Sequence, residues 1–399
     1  MCNRWGRPGP RPAFFLFPLL IGLWMVSASI FVFGQRSRIG EVYGGIEISP
    51  AGFRGVAIRL TEGEEGYRVI YAENITATLT SLNNQLLPDL IRDSVQAVYQ
   101  IHTRMKTDYK VPENNIFIIG SSRLRSDNPQ NMVPDLMSAL TKGIKERVGK
   151  TPILLDLDTE TQLSIIGTIP PHFRGKAGSP DNRSDAMLVD IGPDTLRGGY
   201  QVIRQNNSDK LDYDYVTFNV ATGLTIVTNE INQLTAKDGS LTAYMAAAKG
   251  VCANAVGASL RDEIERKPGL VNRQQIYLSG GIVHAMMTLL RPDDRRLYVR
   301  IFDGEIDIFY RTLTGDPDIL QRMLFPDLTR SVPNPALRKE IEKQVESVRN
   351  AYSLKDLIAG AEFLKTLSAE LKFSGKTVRY ARIGYLSSIL GYVRAQTTF

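Results

Sequence analysis

Residues 186–200 read AMLVDIGPDTLRGGY. The apolar run has the character of a buried strand, and it ends at Asp190 before turning at Gly192. A strand that stops at such a turn can offer amides to a phosphate. Pro193 and Asp194 occupy the positions where a phosphate would want bare N–H groups. Proline lacks the donor, and Asp194 adds negative charge. A second corner lies in YLSGGIVHAM, where a strand ends at Gly280 and Gly281 and a helix begins. A helix N-terminus suits an anion, although close helix–strand packing asks for the same glycines. In GSSRLRSDN, Arg125 follows a buried strand, either as a fork for phosphate oxygens or as a surface loop cation. In DLDTETQLSIIGTI, Asp158 and Glu160 open a helix. Acids there complement the helix dipole, and a carboxylate in a phosphate cleft would also serve as a general base.

The surrounding pattern supplies elements to hold these residues. GGIEIS and RGVAIRL, joined by a tight PAGF turn, read as a hairpin, and GYRVIYAENI as a third strand. The helical stretch LLPDLIRDSVQAVYQIHTRMKTDY leads to the buried strand NNIFIIGSS. AMLVDIG, GGYQVIRQ and DYVTFNVA repeat the three-strand opening, and long helices follow. Two halves that each open with hairpin strands and then wind α/β predict a duplicated architecture. NPALRKEIEKQVESVRNAY and SLKDLIAGAEFLKTLSAELK read as helices with Asn334 and Ser353 as N-caps. The basic, aromatic stretch after them suggests that residues 333–399 form a helical extension, packed on the body or on a partner.

The 399 residues suffice for two domains, and the net charge of +6 is unevenly placed. Residues 1–38 hold five arginines and no acid, and residues 330–399 hold twelve basic and six acidic side chains. The body between, with 31 basic and 36 acidic residues, has a net charge of −5 and no broad cationic surface for nucleic acid. Two cysteines, Cys2 and Cys252, exclude a disulfide framework and a cysteine zinc site, and three scattered histidines have no metal spacing. Residues 13–34 are uncharged over 22 residues, long enough to span a bilayer as a single N-terminal pass. Three arginines precede the run and two follow it, which favours an extracytoplasmic body. The alternative is a cleaved signal with Val32 and Gly34 before the cut, and a secreted protein.

Taken in order, five segments over residues 44–310 resemble the exopolyphosphatase/guanosine pentaphosphatase (Ppx/GppA-like) family of the actin-like ATPase superfold. In IEISPAGFRG, Glu47 takes the place of the family's hairpin aspartate, Ser49 and Pro50 replace Gly-Ser, and Gly52 holds the last position. Ser121, Ser122, Leu124, Arg125 and Asn128 match the pattern Thr-Ser-x-Leu-Arg followed by a polar residue and Asn. Glu160, or Asp158, stands at the general base. Of Asp-x-Gly-Gly-Gly-Ser-x-Glu, this chain keeps Asp190, Gly192 and Thr195, while Arg197 takes the place of the glutamate. Gly280 and Gly281 match the Gly-Gly pair.

The resemblance implies two actin-like (ribonuclease H-like) domains, 40–150 and 151–330, flanking a cleft. It implies a divergent phosphoanhydride hydrolase acting on polyphosphate or a phosphate-containing ligand. Glu160 or Asp158 would be the base, and Glu47 and Asp190 would hold Mg²⁺. Ser121, Ser122, Arg125, Gly52, Gly192, Thr195, Gly280 and Gly281 would bind substrate. The altered loops favour a second reading, a non-catalytic membrane-anchored actin-like scaffold or binding protein. Either reading leaves room for a homo-oligomer.

Overall fold

The computed structural model describes residues 35–36, 39–61, 67–76, 87–124, 134–170, 184–205, 211–329 and 331–398. The apolar run 13–34, Arg125 and Asn128 lie outside the described residues. Among the described residues no helix is long and apolar enough to cross a membrane.

A two-residue strand, β1 (Gln35–Arg36), precedes an antiparallel meander of β2 (Val42–Ser49), β3 (Gly52–Leu60) and β4 (Tyr67–Thr76). The predicted PAGF turn closes the first hairpin. Ser49 pairs with Gly52, and the Ser49 hydroxyl donates to the Gly52 carbonyl. Next come α1 (Leu87–Thr107), β5 (Ile116–Gly120), α2 (Pro134–Val148), β6 (Ile153–Leu154) and α3 (Leu157–Thr168). The sheet order is β4-β3-β2-β5-β6, with β5 parallel to β2.

The second half repeats the plan. β7 (Ala186–Ile191), β8 (Leu196–Gln205) and β9 (Leu211–Val220) form a meander, followed by α4 (Leu224–Leu234), α5 (Leu241–Val251) and α6 (Ala258–Arg266). Then come β10 (Gln275–Gly280), parallel to β7, and α7 (Gly281–Leu290). The chain continues through β11 (Tyr298–Ile301), α8 (Glu305–Thr314), α9 (Pro317–Leu324), α10 (Pro335–Ala351) and α11 (Leu354–Glu370). It closes with β12 (Thr377–Ala381), α12 (Ser387–Ala395) and β13 (Thr397–Thr398). The second sheet runs β11-β12-β10-β7-β8-β9. The duplicated architecture read from the sequence is therefore present.

Strand alternation explains why both faces of the first sheet are covered. Ile46 and Ile48 point to one face and pack with Val98, Ile101 and Met105 of α1. Tyr43, Val56 and Ile58 belong to the other, where they meet Leu163 and Ile166 of α3 and Ile389, Leu390 and Val393 of α12. Burying an aliphatic side chain of this size contributes about 1.5–3 kcal/mol, so both covers matter.

Residues 333–399 are largely helical and pack on the body, but they are not an appended helical extension, since β12 is a strand of the second sheet. α10 and α11 do begin at the expected caps, Asn334 and Ser353. Their apolar faces join the core of the second half through Ile341, Val345, Leu357 and Phe363. β12 is inserted between β10 and β11, and α12 returns to the first sheet. Phe373, Tyr380 and Tyr392 are buried and face inward, whereas Tyr385 is exposed. The nearby cations find internal acceptors. Arg379 bonds to Gln275, and Arg394 Nη1 donates to the Ile166 carbonyl at 2.7 Å. The stretch is thus packed on the body, one of the two expected placements, with the arginine stems inside and their heads bonded to backbone and amide oxygens.

Candidate functional site

The ends of both sheets, together with the N-termini of α3 and α7, surround a cleft of about 990 Å³ between the two halves. β2 delivers Glu47 to it. That carboxylate is 3% exposed, and Oε2 lies 3.6 Å from Arg54 Nη1, its cross-strand neighbour. Glu47 Oε2 makes no hydrogen bond. Burial pushes the Glu47 pKa up, against the opposing pull of Arg54, and Glu160 adds to the rise.

α3 delivers Glu160. Asp156 caps this helix by accepting the Thr159 amide at 2.8 Å, a contact typically worth about 1 kcal/mol. Glu160 Oε2 accepts the Ser122 amide at 2.6 Å and the Ser121 hydroxyl at 3.1 Å. Its Oε1 accepts Arg197 Nη1 at 2.7 Å. Burial would raise the Glu160 pKa, but Arg197 and the Ser122 amide outweigh it and hold the pKa below the ordinary value. The structure thus separates the two candidate bases. Glu160 lines the cleft, whereas Asp158 is exposed and accepts the Thr217 hydroxyl of β9 at 3.4 Å.

β7 and β8 bring Asp190 and Arg197 face to face across their ladder. Arg197 Nε donates to Asp190 Oδ2 at 3.1 Å, and Ser279 of β10 donates to Asp190 Oδ1. The Arg197 side chain is only 14% exposed. Burial opposes its charge, yet Glu160 and Asp190 prevail and hold its pKa above the ordinary arginine value. The turn beyond Asp190 is folded on itself. The Gly192 amide donates to Thr195 O at 2.8 Å, and the Gly192 and Pro193 carbonyls accept the Leu224 and Thr225 amides at the start of α4. Asp194 was expected to aim its charge at the phosphate position. It instead forms an ion pair with Arg123, which follows β5 on the opposite wall. A cation across the cleft claims it.

Gly280 and Gly281 line the cleft where β10 passes into α7. Gly280 has φ 119°, a region closed to side chains, so only glycine makes this junction without strain. The first amides of α7 have no intrahelical acceptor and face negative charge favourably. Arg382 lines the same cavity, and its guanidinium donates to the backbone carbonyls of Arg296 and Asp294. Among the described residues it has no carboxylate within ion-pair distance. His284 receives or gives a hydrogen bond at 2.8 Å with the Tyr380 hydroxyl. Burial, helped by Arg382, lowers its pKa to about 4, so it is neutral at pH 7.

Of the expected residues, Glu47, Ser121, Ser122, Glu160, Asp190, Gly192, Thr195, Gly280 and Gly281 line this one cleft. Gly52 lies in the adjoining turn, and Arg125 is outside the described residues. Sequence reasoning missed Arg123, Arg54, Ser279 and Arg382, and gave Arg197 no role. The register was the available signal for Arg197. A four-residue turn, 192–195, between Ile191 and Leu196 places residue 197 opposite residue 190.

Glu47 and Asp190 do not fit a shared Mg²⁺ in this arrangement. Both Asp190 oxygens are engaged, and the Arg197 guanidinium lies among the carboxylates. Among the described residues no cluster of three His, Cys, Asp or Glu side chains has metal-binding geometry.

No family model and no curated protein matches the sequence. Solved structures do match in fold. A Ppx/GppA family member from Aquifex aeolicus superposes with a TM-score of 0.51 at 13% identity, over 87% of this chain and 97% of that one. An exopolyphosphatase from Cytophaga hutchinsonii ATCC 33406 superposes with a TM-score of 0.53 at 10% identity, over 89% and 99%. The chain has the Ppx/GppA fold. The Ppx/GppA phosphatase of Aquifex aeolicus in its type II variant gives the same answer, with a TM-score of 0.52 at 13% identity over 88% and 99%. The resemblance carried by five short segments is therefore matched in fold over most of the chain.

Proposed function

We propose that the protein binds a phosphate-containing anion, polyphosphate being the class the sequence resemblance implies, in the cleft between its halves, and that it does not hydrolyse it at an enzymatic rate. The observation that carries the reading is the meeting, in one cavity, of the α7 N-terminus at Gly280–Gly281 with the Arg382 guanidinium, which lies over the Tyr380 ring and gives its hydrogen bonds to carbonyl oxygens. Arg54 and Arg123 line the same walls, each beside a carboxylate, Glu47 and Asp194.

Weak turnover follows from Glu160. A general base must accept a proton from water, and both Glu160 oxygens already accept hydrogen bonds. Its lowered pKa makes it a poorer base still. The hydrolytic reading has one observation in its favour: Glu160 lies at the cleft beside Ser121 and Ser122, as the resemblance implies.

Calorimetry of the full-length protein in detergent with tripolyphosphate tests the proposal. Saturable binding is expected, weakened about tenfold or more by Arg382→Ala, the range for a hydrogen bond to a charged group. Phosphate release should not exceed the blank. Absence of binding, or rapid release, would refute it. We further propose that the uncharged run 13–34 holds this body at a membrane, on the extracytoplasmic side.

A further inference from the structure

We propose that Arg197 supplies, from within the chain, the positive charge that a divalent cation would bring to these carboxylates, so that the cleft is built to work without a bound metal. The inference rests on the carboxylate cluster itself and stands apart from the phosphate reading.

Three carboxylates, Glu47, Glu160 and Asp190, line the cleft, and Glu47 lies close enough to Glu160 and Arg197 to feel both charges. Carboxylates gathered in a buried place need a counter-charge. Arg197 provides it through two separate nitrogens, Nη1 to Glu160 at 2.7 Å and Nε to Asp190 at 3.1 Å. The guanidinium bridges elements from both halves, α3 on one side and β7 on the other. Its charge is permanent at any pH the protein meets.

The carboxylate oxygens of Glu160 and Asp190 are already engaged. Glu160 has given Oε1 to Arg197 and Oε2 to Ser121 and Ser122. Asp190 has given Oδ2 to Arg197 and Oδ1 to Ser279. Glu47 Oε2 alone lacks a hydrogen bond, and Arg54 lies 3.6 Å from it. A hard cation needs several oxygen ligands. To gain them here it would have to displace one guanidinium and sit beside another. In the loop pattern that this chain resembles, position 197 is an acid. Placing a base there fills the cluster with its own cation.

Direct metal titration of the full-length protein in detergent decides the matter, with Mn²⁺ as the probe read by electron paramagnetic resonance. The native protein is expected to take up no Mn²⁺ at the cleft up to about 1 mM, the upper end of the range of built hard-cation sites. Arg197→Ala removes the internal cation and frees Oε1 of Glu160 and Oδ2 of Asp190. It should gain one saturable Mn²⁺ site, lost again when Asp190→Asn is added. Its melting temperature should fall in chelator and recover with Mn²⁺. If Arg197→Ala does not fold, Arg197→Gln, which keeps a donor but drops the charge, carries the same expectation. Stoichiometric Mn²⁺ binding by the native protein that disappears with Asp190→Asn would overturn the proposal. So would a folded Arg197 variant that gains no site.

Discussion

Gly391 of α12 lies directly against the Leu163 carbonyl of α3, so closely that a Cβ at 391 would overlap backbone atoms. Gly167 stands in the same relation to Ser387 O. The two helices cross almost backbone to backbone, and together they cover one face of the first sheet. The last residues of the chain are therefore part of the first half's core.

Gly391→Ala should consequently be severe. The nearest atoms belong to backbone and cannot rotate away, so the cost should reach or exceed the about 1–3 kcal/mol typical of overpacking. Urea denaturation of the variant measures it. Deleting residues 372–399 removes β12 from the second sheet and α12 from the first, and should abolish cooperative unfolding. A truncated protein that melts like the intact one would restore the idea of a separable extension.

This crossing also marks where the sequence stopped being readable. The meander openings were legible because alternation and tight turns are local: Ser49–Gly52 closes on itself, and Asp190 and Arg197 meet seven residues apart. Asp190, Glu160 and the Gly280–Gly281 corner were legible because each lies near the start or end of an element whose direction the pattern defines. Arg123 and Arg382 were not. Arg123 finds Asp194 across 71 positions of sequence, and Arg382 finds the Asp294 carbonyl across 88. Nothing local distinguishes such arginines from surface cations. The fate of residues 377–395 was hidden for the same reason, since their partners are strands and helices far earlier in the chain.

Two glutamates in the cleft should give stability opposite pH dependences. The Glu160 pKa is lowered from 4.5, so its contribution is present above the ordinary value and lost as pH falls through the lowered one. The Glu47 pKa is raised from 4.5, so its contribution is present below that value and lost as pH rises through the raised one. Denaturation midpoints from about pH 3 to about pH 8 should separate them. Glu160→Gln should flatten the acid limb. Glu47→Gln should flatten the decline toward neutral pH and leave the protein at least as stable at pH 7. A marked loss of stability at pH 7 in Glu47→Gln would mean that the Glu47 charge is needed there.

Topology is open to a direct test. β13 runs parallel to β1, so the chain's last residues lie beside the strand that follows the uncharged run 13–34. A reporter fused after Phe399 samples the compartment of the body. With three arginines before the run and two after, a reporter active only outside the cytoplasm should work, and a cytoplasm-only reporter should not. The reverse result would place the body inside.

The turn at 192–195 offers the most specific test of how the cleft binds. Pro193 has no amide to give, but its carbonyl holds Thr225 and the Gly192 carbonyl holds Leu224. Glycine at 193 keeps those acceptors and adds a donor. Asp194 is paired with Arg123, and both side chains are partly exposed, so the pair itself contributes little, about 0–1 kcal/mol. Its larger effect is to occupy an arginine that would otherwise face the ligand. Replacing Pro193 and Asp194 by Gly-Gly should leave the fold intact and tighten tripolyphosphate binding about tenfold, the yield of roughly one charge-assisted hydrogen bond. Arg123→Ala added to that variant should cancel the gain. Phosphate release should stay at the blank level throughout, because Glu160 remains engaged by Arg197, Ser121 and Ser122. Glu160→Gln should therefore change hydrolysis in none of these proteins. Brisk release by the native protein, abolished by Glu160→Gln, would show that Arg197 lets go of Glu160 when ligand enters, and the binding-only reading would fall.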